Sequence, residues 1–313
     1  HYFCFLLFGI FNIKVVRGIE QILKSISLLI LISFLGANQA WSQLYPLGAQ
    51  YFHNQYLGNP SSAGIDSGYR FDLSNRVQWN DVPGAPVNQI FTGVLKTGKV
   101  GLGLNLTKEK EGLMNTLRTV ATLAYHLPLN KGQQIHLGLS VGMLSQRIRT
   151  EDIVGNQGDP SVSNYNSREY FLDGDYGMAY TDDKLKIQLA IPNLKNFFNT
   201  DYFRTSNFSV FYSAVTYKIG NSNTKNSMIM EPIIALRGVK GYKNIWDAGT
   251  KLSFSNDRLN ISGIYHSTGN TTFGIGFNYN STIGISSMYS TGTSVLRGFS
   301  TTGDFEINLK LSF

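Results

Sequence analysis

The chain has 313 residues, of which 15% are charged, and a formal net charge of +7 at pH 7. This charged fraction lies below the roughly 25% of an average globular protein, as is typical of proteins that reside in a membrane. The positive charges are spread out without a run of Lys or Arg, which argues against a nucleic-acid-binding groove. No apolar run of 18 residues follows residue 42, which excludes helical membrane spans there.

Residues 1–42 are predicted to be a leader that contains a secretory signal peptide and is removed. The leader combines a basic region, an apolar run and small residues near the cleavage site, namely Lys14, Arg17 and Lys24, then Ile26 to Gly36, then Ala37, Ala40 and Ser42. A membrane anchor is the alternative, but the apolar run is short for the roughly 30 Å of hydrocarbon in a bilayer. The one cysteine, Cys4, lies in this leader, so the mature chain is expected to have no disulfide and no cysteine-ligated metal site.

Residues 43–68 are predicted to be irregular, because Pro46, Pro60 and several glycines interrupt any strand ladder. Aromatic residues recur in this segment at Tyr45, Tyr51, Phe52 and Tyr56. An irregular aromatic segment ahead of a barrel can plug the lumen, pack under its rim or contact a periplasmic partner. It can also be no more than an ordered lead-in to the first strand, and the sequence leaves these alternatives open.

Residues 69–313 alternate apolar and polar side chains with the period of a β-strand. About fourteen such segments follow one another: 69–79, 88–96, 100–107, 117–127, 135–143, 170–180, 185–191, 208–219, 228–239, 244–254, 258–268, 271–279, 283–289 and 303–313. The mean hydropathy of −0.10 is what results when lipid-facing and lumen-facing residues alternate. We therefore predict an all-β fold, a transmembrane antiparallel β-barrel of about 14 strands with lipid on its outside.

The connections between these segments differ in length according to their parity. Those after even-numbered strands are short and turn-like, whereas several after odd-numbered strands are long, notably Asn80 to Val87, Arg149 to Arg168, Pro192 to Asn207 and Ser290 to Thr301. Outer-membrane barrels have short periplasmic turns and longer extracellular loops. The parity predicts that both termini are periplasmic and that the protein lies in the outer membrane of a Gram-negative bacterium.

The last strand carries the clearest alternation of the chain. One side carries only apolar residues, namely Phe305, Ile307, Leu309, Leu311 and Phe313, and the other side carries Asp304, Glu306, Asn308, Lys310 and Ser312. Its length is close to the roughly 9–11 residues that a tilted strand needs to cross a bilayer. A terminal Phe preceded by alternating apolar residues resembles the barrel-assembly signal of outer-membrane proteins, and that role is predicted for these five apolar residues.

No catalytic or metal-binding constellation stands out in the sequence. His53, His126, His136 and His266 lack a ligand spacing such as H-E-x-x-H and are expected to be lumen or interface residues, and no carboxylate or Ser arrangement is expected beside His266. The acidic residues assigned to outer loops are interpreted as solvated charge, namely Glu109, Glu111, Glu151, Asp152 and Asp159. We expect no enzyme activity, no cofactor and no metal.

The segment from Gln50 to Gly64 resembles the opening of the PorP/SprF family, in which aromatic residues precede an N-P-x-x-A-G element. Here that element is formed by Asn59, Pro60, Ala63 and Gly64, while Gln55 and Gly58 depart from the family's preceding pattern. The run from Val100 to Leu113 and the A-Y-H-L-P-L segment after it resemble later strands of the same family. Pro60 would fix φ in a rigid turn and Gly64 would allow a sharp exit, which favours a structural role for the element.

The resemblance implies an outer-membrane protein of the type IX secretion system that is not an enzyme. Its expected partners are outer-membrane lipid, components of the secretion system and a secreted cargo, such as a gliding-motility adhesin, that is docked through its C-terminal domain. The alternative is a transporter or porin for a small or apolar solute. An outer-membrane enzyme is a third reading, and it would require ionisable residues clustered at the outer rim.

Overall fold

The computed structural model describes residues 49–66, 68–79, 81–130, 132–153, 159–167, 170–194, 209–220, 228–239, 243–292 and 303–313. The predicted leader, residues 1–42, lies outside the described residues. Parts of three predicted surface loops also lie outside them, namely parts of 149–168, 192–207 and 290–301. No helix in the described part of the chain has both the length and the apolar character needed to cross a bilayer.

In the described part of the chain, fourteen antiparallel strands close into one barrel, in which each strand pairs with its sequence neighbours and β1 pairs with β14. The strands are β1 (Tyr69–Gln78), β2 (Val87–Thr97), β3 (Val100–Glu111), β4 (Met114–Asn130), β5 (Gln133–Ile148), β6 (Phe171–Thr181), β7 (Leu185–Ile191), β8 (Ser209–Tyr217), β9 (Met228–Val239), β10 (Ile245–Phe254), β11 (Leu259–His266), β12 (Thr271–Tyr279), β13 (Ile283–Ser290) and β14 (Asp304–Ser312). The predicted all-β barrel and its strand number are confirmed.

The alternation seen in the sequence separates an apolar outside from a polar inside. On β5, Leu139 and Val141 are exposed at 51% and 55%, whereas His136 and Ser140, on the opposite face of the strand, are buried. A soluble protein would bury the apolar side chains and expose the polar ones. The reversed arrangement is the one expected of a barrel with lipid outside and a polar lumen.

The two ends of the barrel differ. One end, here called the turn end, carries the short connections 98–99, 182–184 and 280–282. The chain also enters and leaves the barrel there, because Tyr69 N donates to Phe313 O at 2.9 Å and Phe313 N donates to Tyr69 O at 2.8 Å. The opposite end, here called the loop end, carries a short helix, α1 (Pro160–Asn166), between β5 and β6.

Most short connections lie at the turn end and most long ones at the loop end, but there are exceptions. The connection 112–113 at the loop end is short, and the connection 218–227 at the turn end is longer than the other turns. The prediction that Glu109 and Glu111 lie in an outer loop is wrong, because both belong to β3. The ladder continues past the apolar part of the strand, with Glu111 opposite Met114 of β4, since backbone pairing does not require apolar side chains.

Candidate functional site

The described residues 49–66 lie in the lumen, where they contact inward-facing side chains from several strands. Two short 3₁₀ turns, Gln55–Leu57 and Pro60–Ser62, fold this stretch, which is here called the lumen segment. Gln50, Tyr51 and Asn59 of the segment are essentially inaccessible to solvent. The contacts of the described part support the alternative in which the segment plugs the lumen, while residues 43–48 and 67 of the predicted irregular segment lie outside the described residues.

The first residues of the lumen segment are fastened to the seam between β1 and β14. Gln50 Nε2 donates to Glu306 Oε1 at 2.7 Å and to Ser74 Oγ at 3.2 Å. Ala49 N donates to Glu306 Oε2 at 3.0 Å, and Asn308 Nδ2 donates to Gln50 Oε1 at 2.9 Å. These partners satisfy buried polar groups that would otherwise cost free energy, so they fix the position of the segment at the seam.

A second fastening joins Tyr51 to a buried charge cluster near the loop end. The Tyr51 hydroxyl donates to Asp247, which also accepts from Arg237 Nε at 2.8 Å. His266 Nδ1 forms a 2.7 Å hydrogen bond to Asp247 Oδ1, and His266 Nε2 forms one of 2.9 Å to Thr272 Oγ1. Burial raises the pKa of the Tyr51 hydroxyl well above its ordinary value, so this group stays a donor at physiological pH.

The expectation that no carboxylate lies beside His266 is therefore wrong. Asp247 lies 19 positions away in the sequence but directly opposite His266 in the pairing of β10 with β11. The signal that could have found the cluster is an isolated charge on the polar face of a strand, which places it in the lumen, where it needs a partner.

The element Asn59-Pro60 bridges the lumen segment to the barrel wall. The Asn59 side chain accepts from Ser61 N at 3.0 Å and so caps the second 3₁₀ turn, which begins at Pro60. The same side chain donates to the backbone oxygen of Met178 at 3.0 Å and lies 3.4 Å from that of Leu189. Asn59 thus both shapes the turn and holds it against β6 and β7.

Ala63 and Gly64 form the exit of this element toward β1. Ala63 is completely buried, and its carbonyl oxygen lies close against Gly101 of β3. Gly64 has φ +69°, and a Cβ on it would lie 2.9 Å from the backbone of Gly101 and of Leu95. Both the conformation and the close approach to the wall therefore require glycine at this position.

Two inward glycines leave the room that the lumen segment occupies. A Cβ on Gly177 would lie 2.1 Å from Asn59 Oδ1, and a Cβ on Gly138 would lie 2.3 Å from Ser61 N. Such distances are far below van der Waals contact. Glycine at positions 138 of β5 and 177 of β6 is therefore required for the lumen segment to pack against the barrel wall.

His126, His136 and Asp159 have hydrogen-bond partners within the fold. His126 Nδ1 lies 2.8 Å from His136 Nδ1, and His136 Nε2 lies 2.8 Å from Thr181 Oγ1. Asp159 caps α1 by accepting from Ser161 N at 2.7 Å. Within the described residues, no group of three or more His, Cys, Asp or Glu is placed to hold a metal ion.

A second charge cluster, which the sequence reasoning missed, joins β4 to β6. Arg118 Nε donates to Asp173 Oδ2 at 2.9 Å, and Arg118 Nη2 donates to Asp175 Oδ1 at 2.7 Å. Asn193 N also donates to Asp175 Oδ1, at 2.9 Å. The cluster crosses the lumen face of β5 and ties its two neighbours together.

A cavity of about 850 Å³ lies between the lumen segment and the turn end. Its lining includes charged residues of both signs, among them Arg70, Lys186, Lys251, Asp72 and Glu231. Several of these charges are already partnered, as in the 3.1 Å contact of Lys251 Nζ with Glu231. Burial lowers the pKa of His53, which also lines the cavity, to about 4, so its imidazole is neutral at pH 7.

The five apolar residues of the predicted assembly signal all lie on the outer face of β14 or at its end. Phe305, Ile307 and Phe313 are exposed, and Leu309 and Leu311 are half-buried. Leu309 lies opposite Leu73 of β1 and Ile285 of β13, so the apolar stripe spans the closing seam. Whether this stripe is recognised during assembly stays a prediction.

Removal of Phe313 is expected to destabilise the closed barrel by about 2 kcal/mol, because two backbone hydrogen bonds of about 1 kcal/mol each close the ladder there. The measurement is the fraction of membrane-bound protein that migrates as a folded barrel on unheated gels. Phe313→Leu keeps both backbone bonds, so it should retain stability and lose assembly only if the aromatic ring is recognised. Equal folded fractions for the shortened and intact chains would contradict this role of Phe313.

Comparison with protein families gives one match that covers most of the chain. The model described as type IX secretion system membrane protein PorP/SprF matches residues 40–311. A search of curated proteins finds no match.

Solved structures with a similar fold are outer-membrane proteins of low sequence identity. The toluene transporter TbuX of Ralstonia pickettii has a TM-score of 0.49 and 12% identity, over 88% of this chain and 96% of that one. Omp33 of Acinetobacter baumannii has a TM-score of 0.47 and 9% identity, over 80% of this chain and 100% of that one. The toluene transporter TodX of P. putida has a TM-score of 0.46 and 12% identity, over 88% and 97%.

Proposed function

Because this chain belongs to the PorP/SprF family of type IX secretion system membrane proteins, we propose that it is a non-enzymatic outer-membrane barrel that docks secreted cargo at the cell surface. Export with removal of residues 1–42 is part of this proposal. Docking would involve the C-terminal domain of the cargo and other components of the secretion system.

The observation that carries the proposal is that hydrogen bonds hold the lumen segment to the barrel wall at three places. It is held at the β1–β14 seam through Gln50, near the loop end through Tyr51 and against β6 and β7 through Asn59. A barrel that passes solutes needs a free path, whereas a docking protein needs a rigid frame that presents surfaces at its ends. The occupied lumen therefore favours docking over transport.

The two ends of the barrel support an orientation with both termini in the periplasm. Short turns and both chain ends lie together at the turn end, which is the arrangement that outer-membrane barrels have on the periplasmic side. The loop end would then face the cell exterior. The charge cluster that holds Tyr51 lies near the loop end, where it would stiffen the barrel beneath the proposed docking loops.

The connection between β5 and β6 is the candidate docking surface. Asn166 of α1 accepts from Ile148 N at 2.7 Å and donates to Ile148 O at 2.8 Å, which fixes the helix on the end of β5. Several residues of α1 are exposed, including Ser161 and Ser163. An ordered and exposed projection loses less conformational entropy on binding than a mobile one.

Replacement of residues 150–167 by a short glycine-containing turn is expected to abolish co-purification with the C-terminal domain of a type IX cargo, while the barrel still folds. The measurement is capture of that domain by the tagged barrel from membranes dissolved in mild detergent. The control is Asn280→Gly with Ser281→Gly at the turn end, where both residues have positive φ that glycine tolerates. Equal capture by the loop variant would contradict docking through this surface.

A further inference from the structure

A smaller cavity of about 180 Å³ lies against the lumen segment near the turn end. It is formed where two inward positions lack side chains, since Gly284 is opposite Lys310 and Gly276 is opposite Asn260 in the strand pairing. The cavity is much larger than the ~30 Å³ share of one water molecule. It has Phe52, His53 and Arg70 in common with the 850 Å³ cavity, which gives it access to the turn end.

Buried polar atoms face this pocket without a partner. Asn260 and Asn308 are only 3% and 2% exposed, and the Oδ1 atom of each has no hydrogen bond among the described residues. The same holds for His53 Nε2. Buried carbonyl oxygens are nearly always satisfied, so two that line one cavity indicate that a group with N–H or O–H donors belongs there.

Lys310 supplies a positive charge to the same pocket, where the carboxylates of Asp66, Asp72 and Asp257 are near enough to attract it. Within the described residues its ammonium group has neither an ion pair nor a hydrogen bond. The other two lining cations are partnered, because Arg70 Nε lies 2.8 Å from Asp72 and Lys251 Nζ lies 3.1 Å from Glu231. A partly buried ammonium without a direct ion pair or hydrogen bond can donate to an anionic ligand.

The acidic residues that line the pocket already have donors or solvent. Asp72 accepts from Arg70, and Asp257 accepts from Ser253 Oγ at 2.6 Å. The side chain of Asp66 is 80% exposed. These carboxylates therefore repel an entering anion less than isolated buried charges would, and Lys310 is the lining cation that has no direct partner among the described residues.

We propose that this pocket binds an α-carboxylate flanked by N–H donors, the chemistry shared by a free amino acid and the carboxyl end of a polypeptide. Lys310 contacts the carboxylate, and Asn260 Oδ1 and Asn308 Oδ1 accept from the N–H groups. The neutral imidazole of His53 supplies a further donor through Nε2. This site does not depend on docking at the loop end, so failure of the loop-replacement experiment leaves it standing.

The test is calorimetric titration of the purified full-length barrel in detergent with triglycine, triglycine amide and glycine. Triglycine is expected to bind about tenfold or more tightly than its amide, since a charge-assisted hydrogen bond to the carboxylate is lost in the amide. Equal binding of triglycine and glycine assigns the pocket to free amino acids, and binding of triglycine alone assigns it to a chain end. Equal binding of acid and amide, or no binding of any probe, overturns the proposal.

Variants locate the binding in the pocket. Lys310→Met keeps most of the side-chain stem and should weaken triglycine binding about tenfold or more, whereas Lys99→Met, at an exposed lysine of the turn end, should leave it unchanged. Gly284→Ala is the second variant, because its Cβ would lie 2.9 Å from Lys310 Cε and so displace the ammonium. Folding of each variant is checked by its mobility on unheated gels, and unchanged binding in both pocket variants overturns the assignment.

Discussion

Deletion of residues 49–66 is expected to convert a barrel that passes little ionic current into an open pore. The lumen segment fills the space between the β1–β14 seam and the opposite wall, and its side chains Tyr51, Tyr56 and Ala63 are buried there. Small barrels of about eight strands are filled by their own side chains, whereas those of 16–18 strands leave an aqueous channel. With fourteen strands, this barrel is wide enough that the segment has to supply much of the filling. The measurement is single-channel recording in planar bilayers, where the deletion should give stepwise openings.

A point substitution tests the same role of the lumen segment in case the deletion variant does not fold. Gly138→Val would place its Cβ against the backbone of Pro60 and Ser61, which cannot move aside as a flexible side chain can, so the segment should be displaced. Gly263→Val is the matched control, because a Cβ there meets no atom within 4 Å. Silent bilayers with a folded deletion variant would contradict a sealing role. Stepwise current through the intact barrel would instead favour the alternative, a transporter or porin.

The fold could be predicted from the sequence because one period-two pattern determines it. Each strand must present apolar side chains to lipid and polar ones to the lumen, so the pattern is legible in almost every segment. The errors fell at strand ends, as with Glu109 and Glu111, where the ladder extends beyond the apolar part. There the backbone continues to pair although the side chains no longer alternate in hydrophobicity.

The interior could not be predicted in the same way, because its contacts join residues far apart in the sequence. Gln50 reaches Glu306 across 256 positions and Tyr51 reaches Asp247 across 196. No local sequence pattern predicts such a pairing. The recurring aromatic residues of the segment are equally consistent with a segment that plugs the lumen and with one that packs under the rim. The family-like element at Asn59 was legible as a turn, but its hydrogen bond to Met178 was not.

Substitution of Asp247 by Asn is expected to be the most destabilising single change, with a loss of about 3–5 kcal/mol in the free energy of unfolding, as for removal of one partner of a buried ion pair. Asp247 is 1% exposed, and its carboxylate accepts from Arg237, His266 and Tyr51. An amide of the same shape has no charge and one oxygen acceptor, so it cannot satisfy these three partners together. The measurement is urea unfolding of the purified barrel in detergent, followed by tryptophan fluorescence.

The Asp247 carboxylate also holds Tyr51 of the lumen segment. A double-mutant cycle can measure the energy of this Tyr51–Asp247 interaction. Tyr51→Phe removes only the hydroxyl and should cost about 1.5–3 kcal/mol, the range for a hydrogen bond to a charged group. Because the two side chains contact each other, the double variant should lose less than the sum of the single losses. Asp182→Asn is the matched control, since Asp182 acts at the turn end by accepting from Lys184 N and Leu185 N, which an amide oxygen can also do. Additive losses would place Tyr51 outside the charge cluster, and the segment would then be held by its other fastenings alone.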